Sequence, residues 1–312
     1  MSDFDKNALL AAVEHIPALP QLVSSINAID ETSDSAGYEL QKLLASNEDL
    51  DAKLLKVVNT IYYAYPDPIA SISESAALLG YTLTRNLLIA TAFIDSFRQP
   101  GKVKFDRARF WKHSLATART AKEFAEAEGG FSEEETRDLY LAALFHDFGI
   151  IILESFFPEM FQRVLDGVAS GKSYVEAEAA SLGEWGHPAI GRVVATQWGM
   201  PSSLIEAVAC HHAPAACSDP NLKRFVSLIH LAHYGTELAG FGIFAGGAPA
   251  PFDATIYSTL SLTKETVKQL TIRQLDAKDE INEIATILIA QSGAAAMAKK
   301  AARPKQAPGK KK

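Results

Sequence analysis

Apolar positions recur along this chain three and four residues apart, and the period-two alternation of strands is nowhere persuasive. Pro20 opens an amphipathic segment through Leu22, Val23, Ile26 and Ile29, closed by the polar link 30–35. Ser46-Asn47-Glu48-Asp49 has the form of a capping box with the serine as cap. Behind it Leu50, Leu54, Leu55, Val57 and Val58 make an apolar stripe that ends near Tyr62-Tyr63. Pro66 and Pro68 break the chain; Ser73 is placed to cap a short helix, and Gly80 to end it in left-handed geometry. Residues 82–97 are apolar enough for a central buried helix.

Gln99-Pro100-Gly101 is the clearest internal break. The spacing then predicts a helix from Phe110 to the Gly129-Gly130 pair and another from a Ser132 cap to His146-Asp147. Further helices are expected over 150–157, 158–168, 176–182, 187–198, 201–212, 222–238, 264–270 and 276–291, with Thr263 as an N-cap. Proline suits the first turn of a helix, so Pro188 puts His187 at a helix entrance. Residues 241–252, rich in glycine, alanine and proline, read as a loop. The expected fold class is all-α, a multi-helix bundle without internal repeats. Three parts are expected: an N-terminal helical subdomain over 1–100, a helical subdomain with a candidate metal site over 101–293, and a disordered basic tail over 294–312.

With 312 residues, 48% hydrophobic and 21% charged, the chain is long enough for a substantial core and has the balance of a globular protein. No run reaches the roughly 18 uncharged apolar residues of a membrane span, the best candidate lying around Leu87 to Phe93. Met1-Ser2-Asp3-Phe4-Asp5-Lys6 lacks the form of a signal peptide, so a cytoplasmic location is expected. The net charge of −7 is uneven: Lys299, Lys300, Arg303, Lys305, Lys310, Lys311 and Lys312 crowd the tail without an acid. The acidic remainder argues against nucleic acid as the main ligand, and the tail reads as a solubilising end. Cys210 and Cys217 flank His211 and His212, which raises a cysteine–histidine zinc site. Their spacing is not that of the common zinc motifs, and two reduced, incidental cysteines are the better reading.

The chemistry centres on Leu139-Tyr140-Leu141-Ala142-Ala143-Leu144-Phe145-His146-Asp147-Phe148-Gly149. An imidazole and a carboxylate at the end of a buried helix are costly unless each finds a partner, and a metal ion satisfies both. His113, His146 with Asp147, His187, His211 with His212, and His233 fall on separate predicted helices. Any single one reads as a core histidine bonded to a carbonyl; the ordered set reads as a metal site. These ligand types suit iron, manganese or zinc, and an aspartate can bridge two ions. His15 and His230 fall outside the pattern, His15 as a local cap or surface residue and His230 as a neighbour or supporting group.

The same order of residues resembles the HD superfamily of metal-dependent phosphohydrolases, and more closely the HDOD domain, the HD-related output domain of bacterial signalling proteins. Ile16-Pro17-Ala18-Leu19-Pro20, Ala52-Lys53-Leu54-Leu55-Lys56-Val57-Val58-Asn59, and Ala76-Ala77-Leu78-Leu79-Gly80 with Arg85-Asn86-Leu87 carry the likeness in the N-terminal half. It covers about residues 10–240. It implies an HD-like bundle and a divalent transition-metal cofactor, as one ion or a pair. The implied ligands are His113, His146, Asp147, His187, His211, His212 and His233. Action would be through signalling-protein partners, with Asp147 the catalytic candidate if the protein is an enzyme.

Departures weigh against catalysis. His146-Asp147-Phe148-Gly149-Ile150 lacks the lysine that active HD phosphodiesterases carry after the glycine. Ala213-Pro214-Ala215-Ala216-Cys217-Ser218 replaces their Gly-Tyr-Pro loop, and His233 stands where aspartate is usual. Loss of a cation on the phosphate typically costs a few kcal/mol of transition-state stabilisation. Two readings result: a regulatory output protein with a vestigial or sensory metal site, or a metal-dependent phosphohydrolase acting on a nucleotide or cyclic dinucleotide.

Overall fold

The structure, a computed structural model, describes residues 22, 25–26, 28–30, 32–45, 47–61, 68–97 and 102–289. Among them helix dominates and no strand occurs, as the spacing predicts. The expectations placed on Pro20, His15, Ser46, Tyr62-Tyr63, Pro66, the 99–101 break and the basic tail lie outside the described residues.

The N-terminal part consists of α1 (Ala36–Leu44), α2 (Glu48–Ile61), α3 (Ile72–Leu79) and α4 (Tyr81–Ser96). Leu40, Leu44, Leu54, Val58, Ile72 and Leu88 are buried between them. At the start of α2 Asn47 accepts the Leu50 N–H at 3.2 Å. The cap of α3 differs from expectation. Ser71, not Ser73, caps α3 by accepting the Glu74 N–H at 3.0 Å, while Glu74 reaches back to the Ala70 N–H at 2.7 Å. An N-cap needs extended backbone, which Ser71 has and Ser73, inside the helix, does not. Gly80 does have positive φ (86°), but its ψ of 148° makes it an extended glycine turn rather than a left-handed cap.

The larger part is built around α5 (Arg107–Glu128), with α6 (Glu133–Phe145), α7 (Phe148–Phe156), α8 (Pro158–Ala169), α9 (Tyr174–Leu182), α10 (His187–Gln197) and α11 (Ser202–Cys210). Then follow α12 (Lys223–Thr236), which runs on into a π turn (Glu237–Phe241), α13 (Lys264–Asp276) and α14 (Lys278–Ile289). Helix α5 begins ahead of Phe110 because Asp106 caps it through the Arg109 N–H at 3.0 Å. Helix α9 begins early because Ser173 and Glu176 form a capping box. Ser132 with Glu135 and Thr263 cap α6 and α13 as predicted. Helix α13 runs past 270 to Asp276, and α14 starts at Lys278.

Helix α5 packs against α6, α12, α13 and α14. Because α14 also packs on α2 and α4, one buried apolar core runs from Ile26 to Ala285. Among the described residues one stretch, Glu133–Phe156, is long and apolar enough to cross a membrane by length and composition, and it is not the segment around Leu87. Its most apolar window is 83% buried and it is broken between α6 and α7 at His146-Asp147, so these helices serve the core.

Candidate metal centre

His146 closes α6 and Asp147 is the N-cap residue of α7, so the pair occupies the bend between two helices rather than one helix face. Gly149 makes that bend fit. A Cβ there would lie 2.1 Å from the His187 carbonyl oxygen, so only glycine lets α7 press on the entrance of α10. Gly191 plays the same part against Val208 of α11, where a Cβ would lie 2.5 Å from Cγ1. These contacts bring His187 and His211 to Asp147.

Around the Asp147 carboxylate the histidines divide into two groups. Oδ2 lies 3.3 Å from His113 Nε2, 3.0 Å from His146 Nε2 and 3.8 Å from His233 Nδ1. Oδ1 lies 3.1 Å from both His187 Nε2 and His211 Nε2, with His212 completing that side. Potential ligand atoms within each group stand within 4.8 Å of one another. All seven sequence-selected residues therefore meet in one place, and His212 alone among them is partly exposed.

The far side of each ring decides which nitrogen faces inward. The Nδ1–H of His146 donates to the Ala143 carbonyl at 2.7 Å, and that of His113 to the Phe241 carbonyl at 3.1 Å. His211 donates from Nδ1 to Val208 and Ala207 at 3.0 and 3.1 Å. A ring whose Nδ1 carries the proton presents a lone pair at Nε2. Two of the inward nitrogens are thus acceptors facing each other, His113 Nε2 lying 3.4 Å from His146 Nε2, while His187 Nε2 lies 3.2 Å from His211 Nε2. Both Asp147 oxygens are buried without a hydrogen-bond partner of good geometry. Converging lone pairs around a buried carboxylate call for a cation, and the donor set fits a metal ion in either group.

The proton affinities agree with that fit. Burial pushes His146 down to about 4 and His211 down to about 3, which keeps both neutral and able to ligate at neutral pH. His212 is likewise held well below its ordinary value by burial. Burial would raise the Asp147 carboxyl, but His146, His113 and His187 hold it well below the carboxylate range. His187 and His233 are the exceptions. Against burial, Glu178 and Asp147 raise His187 to about 10, and Glu237 with Asp147 raises His233.

Sequence reasoning passed over several supporting groups. Glu178 on α9 accepts the His187 Nδ1–H at 2.6 Å and its backbone N–H at 3.0 Å. Glu237, in the π turn, stands 3.5 Å from His233 Nε2 and accepts the Ala250 N–H at 2.8 Å. His230, expected as a neighbour or supporting group, is a tie: Nδ1–H donates to the His211 carbonyl at 2.7 Å, and Nε2 accepts the Asp253 N–H at 2.9 Å. Glu237 stands at i+4 from His233, a spacing visible within the helix expected over 222–238, whereas no spacing marks Glu178, which meets His187 from a separate helix. The cysteines take no part. Cys210 Sγ lies 3.4 Å from an Arg192 nitrogen and 3.7 Å from Glu206, and burial pushes its thiol up to about 11.

A cavity of about 20 Å³ adjoins the cluster, walled by Ile150, Tyr174, Ile243, Phe244 and the inward faces of Asp147, His187 and His233. Tyr174 and Phe244, both in its wall, stack on each other with centroids 4.3 Å apart and planes 9° apart.

Comparison with known proteins places the chain. An HDOD domain protein of unknown function from Geobacter sulfurreducens superposes with a TM-score of 0.71 at 23% identity, covering 91% of this chain and 99% of that one. A candidate signal transduction protein from Marinobacter aquaeolei VT8 gives 0.69 at 20% identity, over 92% of this chain and 67% of that one. A candidate phosphohydrolase from Shewanella amazonensis SB2B gives 0.65 at 18%, over 91% and 99%. An uncharacterized protein of Treponema pallidum (strain Nichols) is 24% identical over 200 residues, 64% of this chain but 38% of the relative, so the chain spans well under half of that protein's length. The HDOD domain model matches residues 16–214, through the paired histidines, and the chain belongs to the HDOD domain family.

Proposed function

We propose that the chain is a bacterial signal-transduction output protein, acting in the cytoplasm through contacts with protein partners, and that its histidine–aspartate centre holds metal for sensing or structure rather than for fast turnover. The observation that carries this reading is the cavity at the centre. A water molecule needs about 10–15 Å³ of such space, and the roughly 20 Å³ beside Asp147 admits little more. A nucleotide or cyclic dinucleotide does not fit behind Phe244 and Tyr174 as they stand. Ile150, 1% exposed, occupies the wall where a lysine would be wanted for a phosphodiester.

His113, His146 and His233 would hold one ion and His187, His211 and His212 the other, with Asp147 shared. Six imidazoles with one carboxylate favour iron, manganese or zinc over magnesium. A bound pair would polarise a water molecule and lower its pKa. Around it, the backbone carbonyls of Ala143, Val208 and Phe241 and the carboxylate of Glu178 fix the rings, and Phe244 with Tyr174 excludes bulk water. On this reading residues 1–100 and 101–293 are two parts of one HDOD module, and 294–312 is a solubilising tail.

The second reading, a metal-dependent phosphohydrolase, is favoured by the completeness of both ligand groups. Elemental analysis of untagged protein beside Asp147→Ala, together with a phosphodiester and nucleotide hydrolysis screen, separates the two. Iron, manganese or zinc that disappears in Asp147→Ala, without turnover, is expected. Turnover abolished by His146→Ala would replace the regulatory reading with the hydrolytic one, and absence of metal from the wild type would remove both metal roles.

A further inference from the structure

Beside the metal cluster lies a second cavity, of about 140 Å³, that the reading above leaves without a role. Its lining includes Arg109, Tyr174, Glu237 and Phe244, and its far wall is backbone from the glycine-rich segment 240–249. Arg109 stands one helical turn before His113 on α5, about 6 Å along the axis. Asp106 caps this helix through the Arg109 backbone N–H, which sets where the side chain leaves α5. Its Nε–H donates to the Gly242 carbonyl, and no carboxylate of the described residues comes within 4.0 Å of its guanidinium. Its partly buried cation is therefore anchored by one edge, with charge left to be met by something else.

Glu237 also borders the cavity, but its carboxylate is engaged by the Ala250 N–H and faces His233. Tyr174, Glu237 and Phe244 line both this cavity and the small one at Asp147. The two spaces are therefore neighbours divided by the Tyr174–Phe244 stack.

We propose that the Arg109 cavity is a binding site for a phosphate group, either free or at the end of a small phosphomonoester. A guanidinium anchored through Nε keeps its Nη edge for two parallel hydrogen bonds to phosphate oxygens, the geometry in which arginine binds phosphate most strongly. Pockets for drug-sized ligands run from about 300 Å³ upward, so this one holds a phosphate with a short substituent and not a cyclic dinucleotide. The cation missing at Ile150 is thereby supplied from another helix, in a compartment next to the metal centre. The site stands on its own residues and does not depend on whether the centre senses or hydrolyses.

The test is calorimetric titration of the full-length protein, as purified, with inorganic phosphate and separately with glycerol phosphate. Binding of at least one probe is expected, weakened about tenfold or more in Arg109→Gln, as befits a charged hydrogen-bonded contact. Gly242 provides a second variant that leaves the arginine in place. Its φ is −55° and a Cβ there meets nothing within 4 Å, so side chains are accommodated. Gly242→Glu should pair with Arg109 and reduce binding likewise, while Gly242→Gln should bind as the wild type does. Binding of phosphate alone would identify the free ion as the ligand, and binding of both would identify a monoester terminus. No binding of either probe at 10-millimolar order, or binding unchanged in Gly242→Glu, would overturn the proposal and leave Arg109 as a tie between α5 and the 240–249 segment.

Discussion

Glu178 grips His187 twice, accepting the Nδ1–H at 2.6 Å and the backbone N–H at 3.0 Å, with both residues buried. The double bond sets the ring's orientation and leaves Nε2 directed at Asp147 Oδ1, 3.1 Å away. Gly186 permits the approach, since a Cβ there would lie 2.6 Å from Glu178 Oε2. Supporting partners of this kind typically alter metal affinity by about 10–100-fold. Glu178→Gln should therefore weaken uptake of one ion of the pair, seen as a split titration of metal-stripped protein, with the group at His113, His146 and His233 little changed. Two unaltered binding steps would contradict this role.

Gly149→Ala tests the packing that delivers His187. The added methyl would sit 2.1 Å from the His187 carbonyl oxygen, a backbone atom that cannot swing aside. Overpacking of this kind costs about 1–3 kcal/mol or more. A urea midpoint close to wild type would show that α7 and α10 can separate freely, against the geometry seen.

The metal-free protein should have a stability maximum near pH 6.5. Below that value the unfolded chain takes up protons at His146 and His211 that the native chain, with these groups pushed down to about 4 and 3, refuses. Stability therefore falls as pH drops from 6.5 toward 4. His187, raised to about 10, holds a proton in the native state that the unfolded chain loses above 6.5. Its contribution is complete below 6.5 and is lost as pH rises toward 10. Thermal midpoints of chelator-treated protein at pH 5, 6.5 and 9 check both limbs, and a monotonic profile would refute the assignment.

The two thiols should separate kinetically. Cys210 is 3% exposed, with its thiol raised to about 11 by burial, whereas Cys217 is partly exposed. A thiol reagent at pH 8 should modify Cys217 in the native protein and reach Cys210 only on unfolding. Equal rates would mean that α11 opens readily.

Local signals in the chain carried much of this. Helical spacing, the Ser132 and Thr263 caps, the proline behind His187 and the His-Asp-x-Gly order all act within a few residues, so they are legible without a fold. Ser71 taking the cap of α3 instead of Ser73 shows the limit of such signals. Both serines suit the role chemically, and only the backbone conformation chooses between them. The type of centre is likewise written in the histidines and Asp147. Their division about Oδ1 and Oδ2 comes from helix packing, and their tautomers from the carbonyls of Ala143, Val208 and Phe241. Of Glu178, Glu237 and Arg109, helical spacing marks only Glu237, at i+4 from His233. The other two acquired meaning only in three dimensions. Glu178 meets His187 across a contact that Gly186 permits, and Arg109 meets Gly242 beyond the π turn. No periodicity records a contact made between separate elements.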